Sequence, residues 1–64
     1  MSILRQIPVQ AIYDENKGCK IRTGDDVCYQ SVEYRIGYDV IADEWFLSWV
    51  NHDSRWEHVF EIIL

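Results

Sequence analysis

The sequence predicts a mainly β protein of four to five short antiparallel strands, and three observations carry that expectation. From Cys28 onward the residues alternate. Cys28, Gln30, Val32, Tyr34, Ile36, Tyr38 and Val40 fall on one face; Tyr29, Ser31, Glu33, Arg35, Gly37 and Asp39 fall on the other. A helix would scatter the apolar set around its circumference, whereas a strand gathers it. Next, Trp45–Val50 is apolar on both faces, as in strands that are central or covered on two sides. Finally, turn-forming clusters punctuate these runs at 23–26, 42–44 and 51–54.

The opening residues also alternate, with Ile3, Ile7, Val9, Ala11 and Tyr13 on one side and Arg5 interrupting. Period 2 reads as a strand, and Pro8 confines it to a sheet edge, a bulge or a start near Val9. A polar loop over 14–18 leads to a short strand at 19–22. Gly24 then supplies the positive φ of a two-residue hairpin turn before Val27–Gln30. The long strand that follows runs through Val40, with a bend or bulge expected at Gly37. The C-terminus carries two periodicities. Trp56, Val59, Phe60, Ile63 and Leu64 have helical spacing behind a Ser54–Glu57 capping box, while Trp56, Phe60, Ile62 and Leu64 alternate. The strand, pairing with 45–50 across the turn, is the leading reading; the alternative is an α+β fold with a helix at 55–64. Together the strands form a meander that curls into a twisted sheet or small barrel. In layout, residues 27–60 resemble small SH3-type barrels.

Sixty-four residues are enough for a single compact domain over 1–64. Three Trp, four Tyr and two Phe give that domain a dense core supply, since large aromatics each bury about 150–250 Å². At least two of Trp45, Trp49 and Trp56 are expected in the core, leaving Tyr29 and Tyr38 closer to solvent. The charge is unevenly placed: residues 1–24 sum to +2 and residues 25–64 to −7, for a net −5. Such a balance repels phosphate backbones and anionic membrane surfaces and suits a basic protein partner. With no run of eighteen apolar residues and no leader-like start at Met1–Arg5, the expected location is the cytoplasm.

Chemical motifs are few. In the expected hairpin Cys19 and Cys28 lie diagonally, with Cβ atoms about 7 Å apart where a disulfide wants about 3.5–4.5 Å. They are read as buried, reduced thiols. Cys19, Cys28, His52 and His58 have Cys-x8-Cys and His-x5-His spacing, unlike zinc fingers, whose cysteines stand about two to four residues apart. No metal or cofactor is implied. Ser48, His52 and Asp53 are sequence neighbours that do not point at one another, and the pairs Asp14-Glu15, Asp25-Asp26 and Asp43-Glu44 lie in turns. An enzyme is not expected.

What remains is binding. The expected surface comprises Asp25, Asp26, Glu33, Asp39, Asp43 and Glu44 around Tyr29 and Tyr38, turned toward a basic protein that itself binds nucleic acid. In size, acidity and aromatic content the chain is similar to small inhibitors encoded by phages and mobile elements, anti-CRISPR proteins among them. That resemblance implies an inhibitor, immunity-type protein or adaptor. Two other readings stand beside it. Lys17, Lys20 and Arg22 with nearby aromatics would serve a small barrel binding nucleic acid or a peptide, and an exposed strand edge would serve a homo-oligomer.

Overall fold

The computed structural model describes residues 4–64, so the alternation assigned to Ile3 lies outside the described residues. The fold is mainly β, a strongly curled half-barrel sheet of five strands with one short helix. The elements are β1 (Arg5–Pro8), α1 (Val9–Glu15), β2 (Asp26–Tyr29), β3 (Val32–Asp39), β4 (Glu44–Val50) and β5 (Trp56–Ile63). In space the strands run β1-β5-β4-β3-β2. The expected antiparallel meander holds for β2 through β5, and β4 is the central strand. The sheet is mixed, not wholly antiparallel, because β1 adds to β5 in parallel.

That parallel edge follows from the first correction. The opening segment is no single strand: it pairs only through Pro8, then turns into α1. Pro8 ends an edge strand, where its missing N–H costs no ladder bond, and serves as the N-cap of the helix. A crossover then carries the chain to the far edge, so β1 and β5 run the same way. Within α1, Val9 and Ile12 stand three residues apart and face the sheet, and Ile12 is 0% exposed.

A second correction concerns 19–22, which forms no strand. Cys19 and Ile21 instead pack onto the core from an irregular segment, and Gly24 has the positive φ (88°) its turn was expected to need. The hairpin lies further on, inside the stretch read as one long strand: Tyr29 pairs with Val32 across Gln30-Ser31. Both turn residues have positive φ, 52° and 66°, as a type I′ turn requires. Neither is Gly or Asn. The Glu15 carboxylate compensates by accepting the Gln30 and Ser31 N–H groups at 2.8 and 3.1 Å. Gln30→Asn with Ser31→Gly is therefore expected to stabilise the protein by about 1 kcal/mol, raising the thermal midpoint by about 4–8 °C. An unchanged midpoint would mean that the Glu15 clamp alone fixes the turn.

The C-terminus is a strand, which disposes of the helix at 55–64. Its double periodicity has a physical source. The β4–β5 register shifts between Leu47, opposite Phe60, and Ser48, opposite His58, so Val59 is an extra residue in a β-bulge. A bulge adds one residue to an alternating pattern and yields helix-like intervals. Gly37, where a bend was expected, pairs in regular register with Phe46.

One face of the sheet is covered. Ile7, Val27, Tyr34, Ile36, Leu47, Phe60 and Ile62 point into it and meet Ile12. Aromatic contacts knit its rim: Tyr29 and Tyr34 pack edge-on against Phe60 at 5.3 and 5.4 Å, and Tyr38 packs against Trp45 at 4.9 Å. The tryptophans are not the core. Trp45 is half-buried, but Trp49 and Trp56 are 36% and 51% exposed, while Tyr29 and Tyr38 are only half-buried. Neither expectation about these rings holds: Tyr34 and Phe60 join the aliphatics of the inner face, Trp45 and Trp49 lie at its margin, and Trp56 stands on the open face. Both cysteines are free, Cys19 half-buried and Cys28 exposed, so the expectation that both are buried fails at Cys28.

Candidate partner-binding surface

Helix α1 and segment 19–22 cover only one face, so every second residue of each strand projects from the other. Across that open face the register aligns Asp26, Arg35, Ser48 and His58 in one row and Gly37, Phe46, Glu61 and Gln6 in another. Val50 and Trp56 form a further pair. The central strand β4 and its neighbour β5 thus present Phe46, Val50, Trp56 and Ile63 outward. A strand apolar on both faces was expected to be central or covered on both sides; β4 is central, and one of its faces stays open.

Local geometry holds these side chains in place. The Arg35 guanidinium lies 4.6 Å from the Trp56 ring centroid while its Nε donates to Asp26 at 3.2 Å. An acid and an indole share one cation, an exposed arrangement contributing about 0.5–1 kcal/mol. Ser48 lies buried beneath this cluster, its hydroxyl donating to the Arg35 carbonyl at 3.4 Å. Asp26, Glu33, Arg35, Ser48, Val50 and Trp56 line a shallow depression of about 240 Å³. Nearby, His58 stacks on Phe46 at 3.7 Å, and the Phe46 ring lies across Gly37. A Cβ on Gly37 would fall 2.3 Å from the tip of that ring. Gly37→Ala should therefore cost about 1 kcal/mol in the native protein and nothing, or a gain, in a Phe46→Ala background, where only strand propensity is left. Denaturant melts of the four proteins in this cycle decide it; additive effects would mean the ring does not rest on Gly37.

The eight residues expected to form one surface divide between the two ends of β3. Asp25, Asp26 and Glu33 lie toward the β2 side, with Asp26 paired to Arg35. Tyr29 belongs to the covered face against Phe60. Tyr38, Asp39, Asp43 and Glu44 gather at the β3–β4 turn. There the Tyr38 hydroxyl donates to the Asp43 carboxylate, and Asp39 accepts the N–H groups of Ile41 and Ala42 at 3.0 and 3.2 Å. The bond to Asp43 holds the Tyr38 phenol above its usual value. A raised phenol pKa keeps this contact intact through neutral pH and loses it as pH rises past the ordinary tyrosine range. Trp49 donates its indole N–H to Glu57 at 2.7 Å, which holds that carboxyl below its usual range. Lys17, Lys20 and Arg22 are exposed on the segment after α1. Lys20 and Arg22 share their depression with Asp25 and Asp26, so the basic patch does not stand apart from the acids.

Reading the sequence alone misses Val50, Trp56 and Ile63 as surface residues, leaves Arg35 out of the binding surface, and places Val40 in a strand instead of at the turn with Ile41. For Val50 the signal was present in the two-sided apolar pattern of β4; Trp56 and Ile63 lie in β5, where two periodicities competed. For the turn, the signal was a pair of β-branched residues set between Asp39 and Asp43.

Among the described residues, no three His, Cys, Asp or Glu side chains gather to hold a metal ion, and no helix is long and apolar enough to cross a membrane. Compared with protein-family models, curated proteins and solved structures, neither the sequence nor the fold finds a match.

Proposed function

We propose that this chain is a non-catalytic protein-binding module that uses the open face of its sheet, acting as an inhibitor, immunity-type protein or adaptor. The observation that carries the reading is the uncovered outer side of β4 and β5, where the cross-strand pair Trp56 and Val50 is 51% and 50% exposed. Tryptophan and arginine are enriched among residues that dominate binding energy, and Trp56 and Arg35 stand together here. Asp26 and Glu33 flank Arg35 and Trp56, and Glu61 and Glu44 lie further along the same face, so the matching surface carries basic groups beside an apolar contact for Trp56 and Val50. That charge pattern also disfavours stacking of two such faces from copies of the same chain. It fits the class of small acidic inhibitors carried by phages and mobile elements, whose targets include basic, nucleic-acid-binding proteins.

The test is a tagged pull-down with and without nuclease, read by mass spectrometry, alongside Trp56→Ala. A stoichiometric protein partner that survives nuclease, weakens as salt rises, and loses about 30-fold or more in affinity to Trp56→Ala supports the reading. Full retention by the folded variant moves the interface off this face. Capture that vanishes with nuclease would favour nucleic-acid binding through Lys17, Lys20 and Arg22.

A further inference from the structure

The β3–β4 turn presents two of the most exposed large apolar side chains among the described residues, Ile41 at 97% and Val40 at 80%. Turn formation does not ask for them. Such positions favour Gly, Pro, Asn, Asp and Ser, and a β-branched tip buries nothing here. The tip is nonetheless firmly built, with Asp39 holding two of its backbone N–H groups, Asp43 at a φ of 55°, and the Tyr38 hydroxyl closing it onto Asp43. A pre-ordered aliphatic knob gives up little entropy on docking. Carboxylates of Asp39, Asp43 and Glu44 flank it.

A complementary surface exists on the same molecule. Between segment 18–22 and the start of β2 lies an open depression of about 460 Å³, roomy enough for two aliphatic side chains. Gly18, Cys19 and Val27 give it apolar lining, and Lys20 and Arg22 stand at it with no carboxylate within 4.0 Å among the described residues. Of its two acids Asp26 is engaged by Arg35, which leaves Asp25 against two cations. The charge asymmetry of the chain, +2 over residues 1–24 and −7 over residues 25–64, has the same polarity.

We infer that the Val40–Ile41 tip of one copy docks into the Lys20–Arg22 depression of a second copy, a head-to-tail contact that adjoins the open face at Asp26 and Glu44 but does not include Trp56 or Val50. A contact of this kind joins unlike patches, so it propagates into a ring or a chain instead of stopping at a symmetric dimer.

Sedimentation velocity of the full chain from about 10 μM to about 1 mM at low salt tests this. The expected result is a mass that climbs above the monomer with concentration and falls back as salt is added. Ile41→Asp, at a solvent-exposed position that leaves folding intact, and the double variant Lys20→Glu/Arg22→Glu should each weaken association by about 30-fold or more, while Trp56→Ala leaves it unchanged. The decisive arm mixes the two defective proteins. One retains a sound depression and the other a sound tip, so the mixture should form a one-to-one pair that grows no further. A strictly monomeric protein at 1 mM, the behaviour of a tip that serves a foreign partner, overturns the inference. So does an oligomer indifferent to both variants, or a mixture that fails to pair.

Discussion

Ile12→Ala is expected to remove about 3–4 kcal/mol of stability, enough to leave much of the protein unfolded at 37 °C. The magnitude comes from what α1 lacks. Seven residues make two turns, too short to persist in water without tertiary contacts. No side chain caps its N-terminus, and its last turn holds Asp14 and Glu15 with no basic residue, which opposes the helix dipole. Ile12 is the one fully buried residue of the helix, and it closes the covered face above Ile7, Ile36, Leu47 and Ile62. Truncation opens a cavity and also loosens the element that carries Glu15 to the β2–β3 turn. Urea unfolding should show the full loss, with Ile12→Val losing only about 1 kcal/mol. A loss below 1 kcal/mol for the alanine variant would mean that α1 folds and frays independently of the sheet.

Much of this architecture was legible because an exposed-against-covered sheet writes its period into the sequence. Strands β3, β4 and β5, the turn at 51–54 and the edge position of Pro8 follow from alternation and turn chemistry, but the turn read at 42–44 lies at 40–43, so β3 ends at Asp39 and not at Val40. The failures share a cause, a change of phase that composition does not announce. At Gln30-Ser31 a two-residue turn puts Tyr29 and Val32 on the same face, although they differ by three in sequence. Alternation counted straight through that turn assigns Cys28 to the covered side and Tyr29 to the open one; the fold does the reverse. Gln and Ser gave no warning, since the left-handed turn is held from a distance by Glu15. Val59 produces a similar shift in β5 through the bulge. The helix went unread because Val9, Ala11 and Tyr13 alternate as readily as Val9 and Ile12 repeat, and seven residues do not separate the two. For the candidate surface, the acids were legible as a class, but their grouping depends on β3 holding Glu33 and Asp39 at opposite ends. The exposure of Trp56 depends on which face α1 covers, which no local pattern encodes.

Asn16→Ala should cost about 2–3 kcal/mol, out of proportion to a residue in a surface loop. Asn16 is the C-cap of α1, and its amide does the work of a strand. Nδ2 donates to the Ile12 carbonyl at 2.9 Å and to the Cys28 carbonyl at 2.6 Å, while Oδ1 accepts the Cys28 N–H at 2.9 Å. Those two Cys28 groups face outward from β2, at the sheet edge opposite β1. An unpaired edge recruits other strands, and a single side chain that takes both the donor and the acceptor blocks it there. Alanine therefore does two things at once: it unties the helix end from β2 and frees a backbone pair for intermolecular pairing. Chemical denaturation should report the first effect, and light scattering on heating the second, as aggregation that begins at a lower temperature than in the native protein. Asn16→Asp separates the two halves of the amide. Aspartate still accepts the Cys28 N–H but has no donor for either carbonyl and sets a negative charge against both, so it should lose about as much as alanine. An aspartate variant as stable as the native protein would show that one bond to Cys28 suffices and that the carbonyl contacts contribute little.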